Sequence, residues 1–279
     1  MRRISVDQIK LFGTFLANEE RAQATIEKYL RDVATFISWL SSNDVDKERC
    51  VAYKAHLTEQ LAPSSVNSIL SSLNSFFSFL GWNELRIKTV KIQRRIFASE
   101  GKELTKSEYE RLLRAAKSQN NERLYLLMQT ICSTGIRVSE LRYITVEAIQ
   151  AERAEISCKG KQRMVFLSSK LCKTLKRYAQ EQKITHGAIF VTKNGKPIDR
   201  SNIWADMKKL CKSASVSEKK VFPHNLRHLF ARTYYTVQKD IVRLADILGH
   251  SSVNTTRIYT IESGEIHRKQ LQHLGLLLC

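Results

Sequence analysis

Apolar residues recur at spacings of three and four along most of the first 80 residues, and this periodicity constrains the fold more than any other feature of the chain. It predicts a helix capped by Ser5 and a second helix over about 22–40. A third helix is predicted over about 46–59, and a fourth follows Pro63 and stops at Gly81. The first part of the chain is therefore predicted to be helical throughout.

The fourth of these helices has one apolar face and one face of Ser and Asn. A face of short polar side chains is typical of a helix surface that meets solvent. The same side chains could also hydrogen-bond to sugar-phosphate groups and base edges. The sequence leaves both interpretations open.

The pattern changes in the second part of the chain, where short strand patterns interrupt the helices. Thr105 and Glu108 form a capping box that opens a helix, and a later helix is expected to end in a left-handed turn at Gly135. Strands are predicted at 156–158, 164–167 and 188–191. A basic turn at 159–161 joins the first two. We therefore predict a mainly α fold with a small antiparallel β-sheet.

Residues 84–103 are rich in Lys and Arg and have weak periodicity, which is typical of a linker between domains. The prediction is a helical domain over 1–97 and an α+β domain over 104–279.

The charge of the chain points to a polyanionic partner. The net charge is +19, and residues 101–279 hold 32 of the 46 basic residues but 16 of the 27 acidic ones. Nucleic acid is the simplest partner for such a chain, and an anionic membrane surface is the second. The charge-free window at 60–83 contains too much Ser and Asn for a membrane span, so the membrane becomes a minor alternative.

The six cysteines are scattered, without a Cys-x-x-Cys pair or a neighbouring His cluster. This spacing argues against a zinc site and against a disulfide framework. The N-terminus has no apolar signal core. We therefore expect an intracellular, cytoplasmic protein without a metal.

Residues with the chemistry for phosphoryl transfer follow one another in short motifs along the second part. The motifs are Thr-Gly-x-Arg-x-Ser-Glu-Leu, the Lys-Gly-Lys turn, His-x-Leu-Arg-His, Leu-Gly-His-Ser and Thr-Thr-x-x-Tyr. Their candidate residues are Arg137, Lys159, His224, Arg227, His250 and Tyr259. In this order the motifs resemble those of the tyrosine recombinase (phage integrase) family. The resemblance extends to residues 22–81, which look like the helical core-binding (SAM-like) domain of that family.

The resemblance implies a reaction, and each residue type suits its part in it. Two guanidiniums, Arg137 and Arg227, would neutralise charge on the non-bridging oxygens of a DNA phosphate. Glu140, three residues after Arg137, would orient the site through hydrogen bonds. Tyr259 would form a 3′-phosphotyrosyl link and release a 5′-hydroxyl, without ATP, metal or other cofactor.

Proton transfers in this reaction would use histidine and lysine. His224 would accept the tyrosine proton, and His250 would hydrogen-bond the phosphate. The leaving 5′-oxygen would take a proton from Lys159 or from Lys161. Both lysines stay open because this turn has one residue fewer between them than in many relatives.

Competing residues have simpler explanations. Tyr234 and Tyr235 lie in an apolar helical stretch and are predicted to pack in the core. His228 follows Arg227 directly, at the wrong spacing for the motif.

The family resemblance also implies partners: double-stranded DNA with inverted-repeat core sites, two protomers on the half-sites and a tetramer at synapsis. The two domains would encircle the DNA. We see no separate arm-binding domain before the helical domain, which favours a Xer-like recombinase or a small integrase or invertase over a lambda-type integrase. The apolar tail at 271–278 would dock on a neighbouring protomer or pack on its own domain. A type IB topoisomerase-like enzyme and a catalytically silent DNA-binding protein are the alternative functions.

Overall fold

The computed structural model of the chain divides into two compact units, Met1–Arg94 and Arg95–Cys279. The residues it describes are 2–41, 44–92, 101–158, 161–192 and 194–259, without the side chains of 158 and 161. Most of these residues are helical, and the strands form short antiparallel pairs. The predicted fold class, mainly α with a small antiparallel sheet, is confirmed.

The first unit consists of helices around an aromatic core. Its elements are β1 (Arg2–Arg3), α1 (Val6–Asn18), α2 (Gln23–Leu40), β2 (Asp44–Val45), α3 (Lys47–Gln60) and α4 (Pro63–Phe79). Ser5 caps α1 in a capping box with Gln8, as its position before the apolar pattern predicted. The rings of Phe12 and Phe76 meet edge to face with centroids 5.1 Å apart, so α1 packs on α4 through aromatic contacts.

Two asparagines on the polar face of α4 bind the backbone that follows the helix. The side chain of Asn74 donates to the Ile87 carbonyl at 2.9 Å and accepts from the Ile87 N–H at 2.7 Å. Asn67 binds Val90 in the same way, at 2.9 and 2.7 Å. Ile87 is 4% exposed and belongs to the core of the first unit. The predicted linker over 84–103 is therefore wrong for its first residues.

In its described residues, the second unit is mainly helical and contains one β-hairpin. Its elements are α5 (Lys106–Ser118), α6 (Glu122–Thr134), α7 (Val146–Gln150), β3 (Arg153–Cys158), β4 (Lys161–Phe166), α8 (Ser169–Glu181), α9 (Arg200–Lys209), α10 (Cys211–Ala214), α11 (Pro223–Gln238), α12 (Ile241–Leu248) and α13 (Val253–Thr256). A 3-10 turn, Val138–Tyr143, follows α6, and another, Arg257–Tyr259, follows α13. Helix α11 packs against α6 and α12. None of the helices in the described ranges is long and apolar enough to cross a membrane.

The β3–β4 hairpin presents one face to the core. Ala154, Ile156 and Val165 are buried on that face, whereas Met164 and Phe166 are exposed on the other. The register pairs Ile156 with Arg163, so an arginine occupies a position on the core face of β4.

The predicted strand at 188–191 is wrong. In the described part of this region, the backbone forms isolated bridges, Thr145 with Ala188 and Val191 with Pro197. Proline has no N–H to extend a ladder, which limits the second bridge. The apolar residues Ile189 and Phe190 are instead buried as a core-facing loop.

Replacing Asn74 with Asp should destabilise the first unit by about 1–3 kcal/mol. The carboxylate still accepts from the Ile87 N–H, but it loses the donor to the Ile87 carbonyl and repels that oxygen. Hydrogen exchange of the Ile87 and Val90 amides, with urea unfolding of the whole chain, measures the effect. Ser71→Ala, at an exposed position of the same helix, is the matched control. Unchanged protection at Ile87 in the Asp variant would contradict this account.

Candidate active site

Arg227 lies at the centre of the candidate site and is only 1% exposed. Its Nη1 donates to the Gly135 carbonyl and its Nη2 to the Leu248 carbonyl, each at 2.7 Å. Gly135 caps α6 and Leu248 ends α12, so the carbonyl ends of two helices face one guanidinium. Burial, together with the charge of Arg137, lowers the pKa of Arg227 to about 10, and the group stays cationic at neutral pH.

Glycine is required at both helix ends that face Arg227. Gly135 and Gly249 are left-handed, with φ of +67° and +64°. A Cβ on Gly135 would lie 2.4 Å from a ring carbon of Phe230, and one on Gly249 would lie 2.5 Å from Cδ of Arg163. The left-handed end of α6 at Gly135 was predicted from the sequence and is confirmed.

Glu140 is a buried carboxylate, 1% exposed, that binds two arginines. Its Oε1 accepts from Nη1 of Arg137 at 2.9 Å, and its Oε2 accepts from Nη2 of Arg163 at 2.6 Å. Oε2 also accepts from the backbone N–H of Arg137 at 2.7 Å. Burial by itself raises the pKa of Glu140. The Arg137 N–H and the charges of Arg163 and Arg137 outweigh burial, so this pKa lies below its usual value.

The guanidinium of Arg137 reaches solvent, unlike that of Arg227. Its side chain is 39% exposed. Besides Glu140 it contacts the Gly249 carbonyl through Nη2 at 3.3 Å, which is a long hydrogen bond. Arg137 therefore has a fixed inner edge and an accessible outer edge.

His250 follows the left-handed turn at Gly249 and contacts Arg227. Its Nε2 lies 3.0 Å from Nη2 of Arg227, and its Nδ1 lies 2.8 Å from Oγ1 of Thr256. Because arginine can only donate, Nε2 accepts and the ring proton is on Nδ1. Burial and the charges of Arg227 and Arg137 lower the pKa of His250 to about 4.

Tyr259 is buried, 5% exposed, beside His250. The two rings are nearly parallel, 15° apart in plane, with centroids separated by 6.2 Å. Burial raises the pKa of Tyr259. The charge of Arg227 and its hydrogen bond to the phenol lower this pKa but do not cancel the effect of burial. The phenol is therefore protonated at neutral pH.

His228 lies between His224 and Tyr259. Its ring centroid is 4.5 Å from that of His224 and 5.0 Å from that of Tyr259, both in edge-to-face geometry. Burial and the charge of His224 lower the pKa of His228 to about 4. Its Nε2 is buried with no hydrogen-bond partner in the described structure.

An open cleft of about 810 Å³ lies beside the cationic groups, and the exposed side chain of Arg137 forms part of its wall. Its walls include Arg137, His224 and Arg227 from the predicted set, with Arg200 and Trp204 from α9. Desolvation at the wall, followed by the charges of Arg227, Arg137 and Arg200, lowers the pKa of His224. Among the residues that the structure describes, no three His, Cys, Asp or Glu side chains are grouped so that they could hold a metal ion.

Two predictions lie outside the described structure. Lys159 and the apolar tail at 271–278 are not among the described residues. Lys161 is the first residue of β4, and only its backbone is described. The choice between the two lysines stays open.

Sequence reasoning missed two contributors to this site. His228 was set aside for its spacing, although it contacts the rings of both His224 and Tyr259. Arg163 was not considered, although the strand alternation carried a signal. Val165 is buried on the core face of the strand, and Arg163, two residues earlier, lies on the same face. A charged residue there needs buried partners.

Models of two protein families match the chain. The model "Phage integrase family" matches residues 102–265, and "Phage integrase, N-terminal SAM-like domain" matches residues 9–84. The chain therefore belongs to the phage integrase family of tyrosine recombinases, and the resemblance seen in its motifs is confirmed.

Individual relatives cover most of the chain. The tyrosine recombinase XerD of Halalkalibacterium halodurans is 28% identical over 262 residues, covering 85% of this chain and 86% of that protein. The crystal structure of a XerA recombinase is 26% identical, with a TM-score of 0.54, and the match covers 97% of this chain and 99% of that one. A lambda integrase dimer bound to a COC′ core site shares the fold at 18% identity, with a TM-score of 0.73 and coverage of 91% and 94%.

His250 should stay neutral with its proton on Nδ1 until the pH approaches about 4. A ¹⁵N-detected NMR titration, assigned with His250→Gln, reports both the tautomer and the pKa. The pKa of a histidine in an unfolded chain is about 6.5. The unfolded chain therefore binds more protons than the folded one between these values, and the second unit should lose stability as pH falls through this window. A charged His250 at pH 6 would contradict the assignment.

Proposed function

We propose that this chain is a site-specific recombinase that cleaves and rejoins double-stranded DNA through a covalent bond between Tyr259 and a 3′-phosphate. The main support for the proposal is that His250 and Tyr259 both contact one buried cation, the guanidinium of Arg227. The net charge of +19 supports a DNA substrate. The phosphotyrosyl ester would keep the energy of the cleaved phosphodiester, so rejoining needs neither ATP nor another cofactor.

Arg137 and Arg227 are assigned to the two non-bridging oxygens of the scissile phosphate. Arg227 supplies a cation that two helix ends hold in place before DNA arrives, as a preorganised site requires. Arg137 supplies an accessible guanidinium, and its 3.3 Å contact with the Gly249 carbonyl can be exchanged for a phosphate oxygen. Glu140 orients Arg137 through a bidentate contact with its backbone and side chain.

In the cleavage step, the phenol oxygen of Tyr259 attacks phosphorus and the bond from phosphorus to the 5′-oxygen breaks. Burial keeps the phenol protonated in the free chain, so a base must accept its proton. His224 is the proposed acceptor at the cleft wall. His228 is a second imidazole in reach, because its ring touches both His224 and Tyr259.

His250 is proposed to bind the scissile phosphate, but its state in the free chain is not yet that of a donor. Its Nε2 accepts from Arg227, and the nearby cations depress its pKa. A phosphate anion between these cations would raise that pKa and favour a proton on Nε2. His250 would then become a hydrogen-bond donor to the phosphate when the substrate is bound.

The released 5′-oxygen needs a proton, which we assign to a lysine of the β3–β4 hairpin. Lys159 is the first candidate and Lys161 the second. In the reverse step the same lysine would take the proton back as the 5′-hydroxyl attacks the phosphotyrosyl bond.

The proposed partner is double-stranded DNA with inverted-repeat core sites. Two protomers would occupy the half-sites and four would form the synaptic complex, inside the cell. Residues 1–97 are proposed as the core-binding domain and residues 104–279 as the catalytic domain. The family models matched to 9–84 and 102–265 support this division.

A DNA substrate nicked next to the cleavage position should trap the wild-type protein as a covalent adduct, and Tyr259→Phe should abolish it. The test site is found by reading the DNA that flanks the gene for short inverted repeats, and denaturing gel electrophoresis of labelled DNA measures the adduct. Tyr234→Phe is the matched control: Tyr234 packs against the apolar cluster that contains Tyr259, and this variant should still form the adduct. A Tyr259→Phe adduct, or no wild-type adduct on a bound site, would refute the proposal.

The general acid can be identified by replacing the bridging 5′-oxygen with sulfur, since a thiolate leaves without being protonated. The variant that lacks the acid should cleave the normal substrate at least about 100-fold more slowly than wild type. It should cleave the sulfur substrate nearly as fast as wild type does. We expect this rescue for Lys159→Ala and no differential effect for Lys161→Ala. Rescue of Lys161→Ala alone would transfer the assignment, and rescue of neither would remove the hairpin lysines from this step.

A further inference from the structure

We infer that Arg163 is a positioning residue that aligns the phosphate-binding groups from beneath. It acts on Arg137 through Glu140, and on His250 through the end of α12. The inference rests on the proposed function, because the alignment it describes is toward the scissile phosphate.

Arg163 occupies a position where the hairpin pattern calls for an apolar side chain. Its cross-strand partner is Ile156, and both belong to the face of the hairpin that meets the core. The side chain is 14% exposed. An arginine so placed loses hydration, and such a group persists only when buried partners compensate.

The partners of Arg163 are parts of the candidate site. Nη2 donates to Oε2 of Glu140 at 2.6 Å, the same oxygen that accepts the Arg137 N–H. Nη1 donates to the Ile247 carbonyl in the last turn of α12. One side chain thus connects β4 to the turn that follows Arg137 and to the helix that ends before His250.

The turn at Gly249 is shaped around this arginine. A Cβ at Gly249 would lie 2.5 Å from Cδ and 2.8 Å from Nε of Arg163. The stem of Arg163 therefore passes directly under the residue before His250. Its length and planar head fit this path, whereas a lysine has one donor group in place of two.

Removing Arg163 should raise the pKa of Glu140, its direct partner. The charged groups acting on Glu140 are Arg137 from its own turn, Arg163 from β4 and Arg227 from α11. Without Arg163 the buried carboxylate keeps Arg137 as its direct partner, and burial raises its pKa. A protonated Glu140 is a weaker acceptor for Arg137, so the defect should grow as pH falls.

The experiment measures DNA affinity and adduct formation separately, on the nicked substrate, for Arg163→Met and Arg163→Lys. Arg163→Met should slow adduct formation on the order of 10- to 100-fold, as expected for misplaced groups. The dissociation constant for the DNA should stay within about twofold of wild type, because both Nη atoms of Arg163 face protein acceptors. Arg163→Lys should recover part of the rate. Arg153→Met, at an exposed position on the same hairpin, should match wild type in both measurements.

A double variant separates positioning from a general loss of structure. Because Arg163 acts in part through Glu140, combining Arg163→Met with Glu140→Gln should slow adduct formation by less than the product of the two single effects. The acid-side loss of rate should begin at higher pH in Arg163→Met than in wild type, and it should disappear when Glu140→Gln is added. Thermal unfolding shows whether the variants are folded, and Arg163→Lys serves if Arg163→Met is not.

Several outcomes overturn the inference: multiplicative effects in the double variant, a loss confined to DNA affinity, or a wild-type rate in folded Arg163→Met. These outcomes are distinct from failure of the proposed function, in which the wild-type protein itself gives no adduct.

Discussion

The interaction on which the second unit depends is the burial of one guanidinium between two helix ends. Arg227 links three helices, because α11 carries it and carbonyls at the ends of α6 and α12 accept its hydrogen bonds. A buried cation is costly unless it is paired, and here backbone carbonyls do the pairing. Replacing it with an apolar residue would leave those carbonyls without a partner. The same group that organises the fold is thus the group proposed to meet the phosphate.

A single carboxylate organises the rest of the cationic surface. Glu140 binds a solvent-accessible arginine, Arg137, on one side and a partly buried arginine, Arg163, on the other. Glu140 joins the β3–β4 hairpin to the turn after α6. Arg163 of the same hairpin also binds α12, which is distant in sequence from both segments. The candidate catalytic residues come from five motifs that span more than 120 residues. These residues can be aligned only if the elements that carry them are fixed to one another. The carboxylate and the helix-end carbonyls provide that fixation.

Local signals in the sequence were sufficient for much of this architecture. Ser5, Thr105 and Gly135 have side chains or backbone freedom that act within a few residues, so their helix ends could be predicted. The strand pattern at 188–191 misled because an apolar run shows burial without showing a partner strand. Residues after 84 looked like a linker because the asparagines that hold them lie a helix away, and no periodicity records such a contact.

The candidate site, like the fold, could be predicted only in part from the sequence. Ordered motifs identified Arg137, His224, Arg227, His250 and Tyr259, and the structure brings these residues to one region. The direction of each hydrogen bond could not be read from the sequence. That Nε2 of His250 is an acceptor depends on where Arg227 points, and the importance of Arg163 depends on the register of a hairpin with its core. The identity of each site residue could be read from its local motif. The position of its proton and the residues that hold it in place depend on the tertiary structure.

The depressed pKa values of His228, His250 and Arg227 have burial as their largest cause, and neighbouring positive groups lower all three further. An oxyanion in the cleft would reduce the repulsion among these positive groups and would favour their charged forms. Folding and DNA binding are therefore linked equilibria in this protein, because a ligand that binds only the folded state stabilises that state by mass action. The recombinase unit is built to be most stable when it holds its substrate.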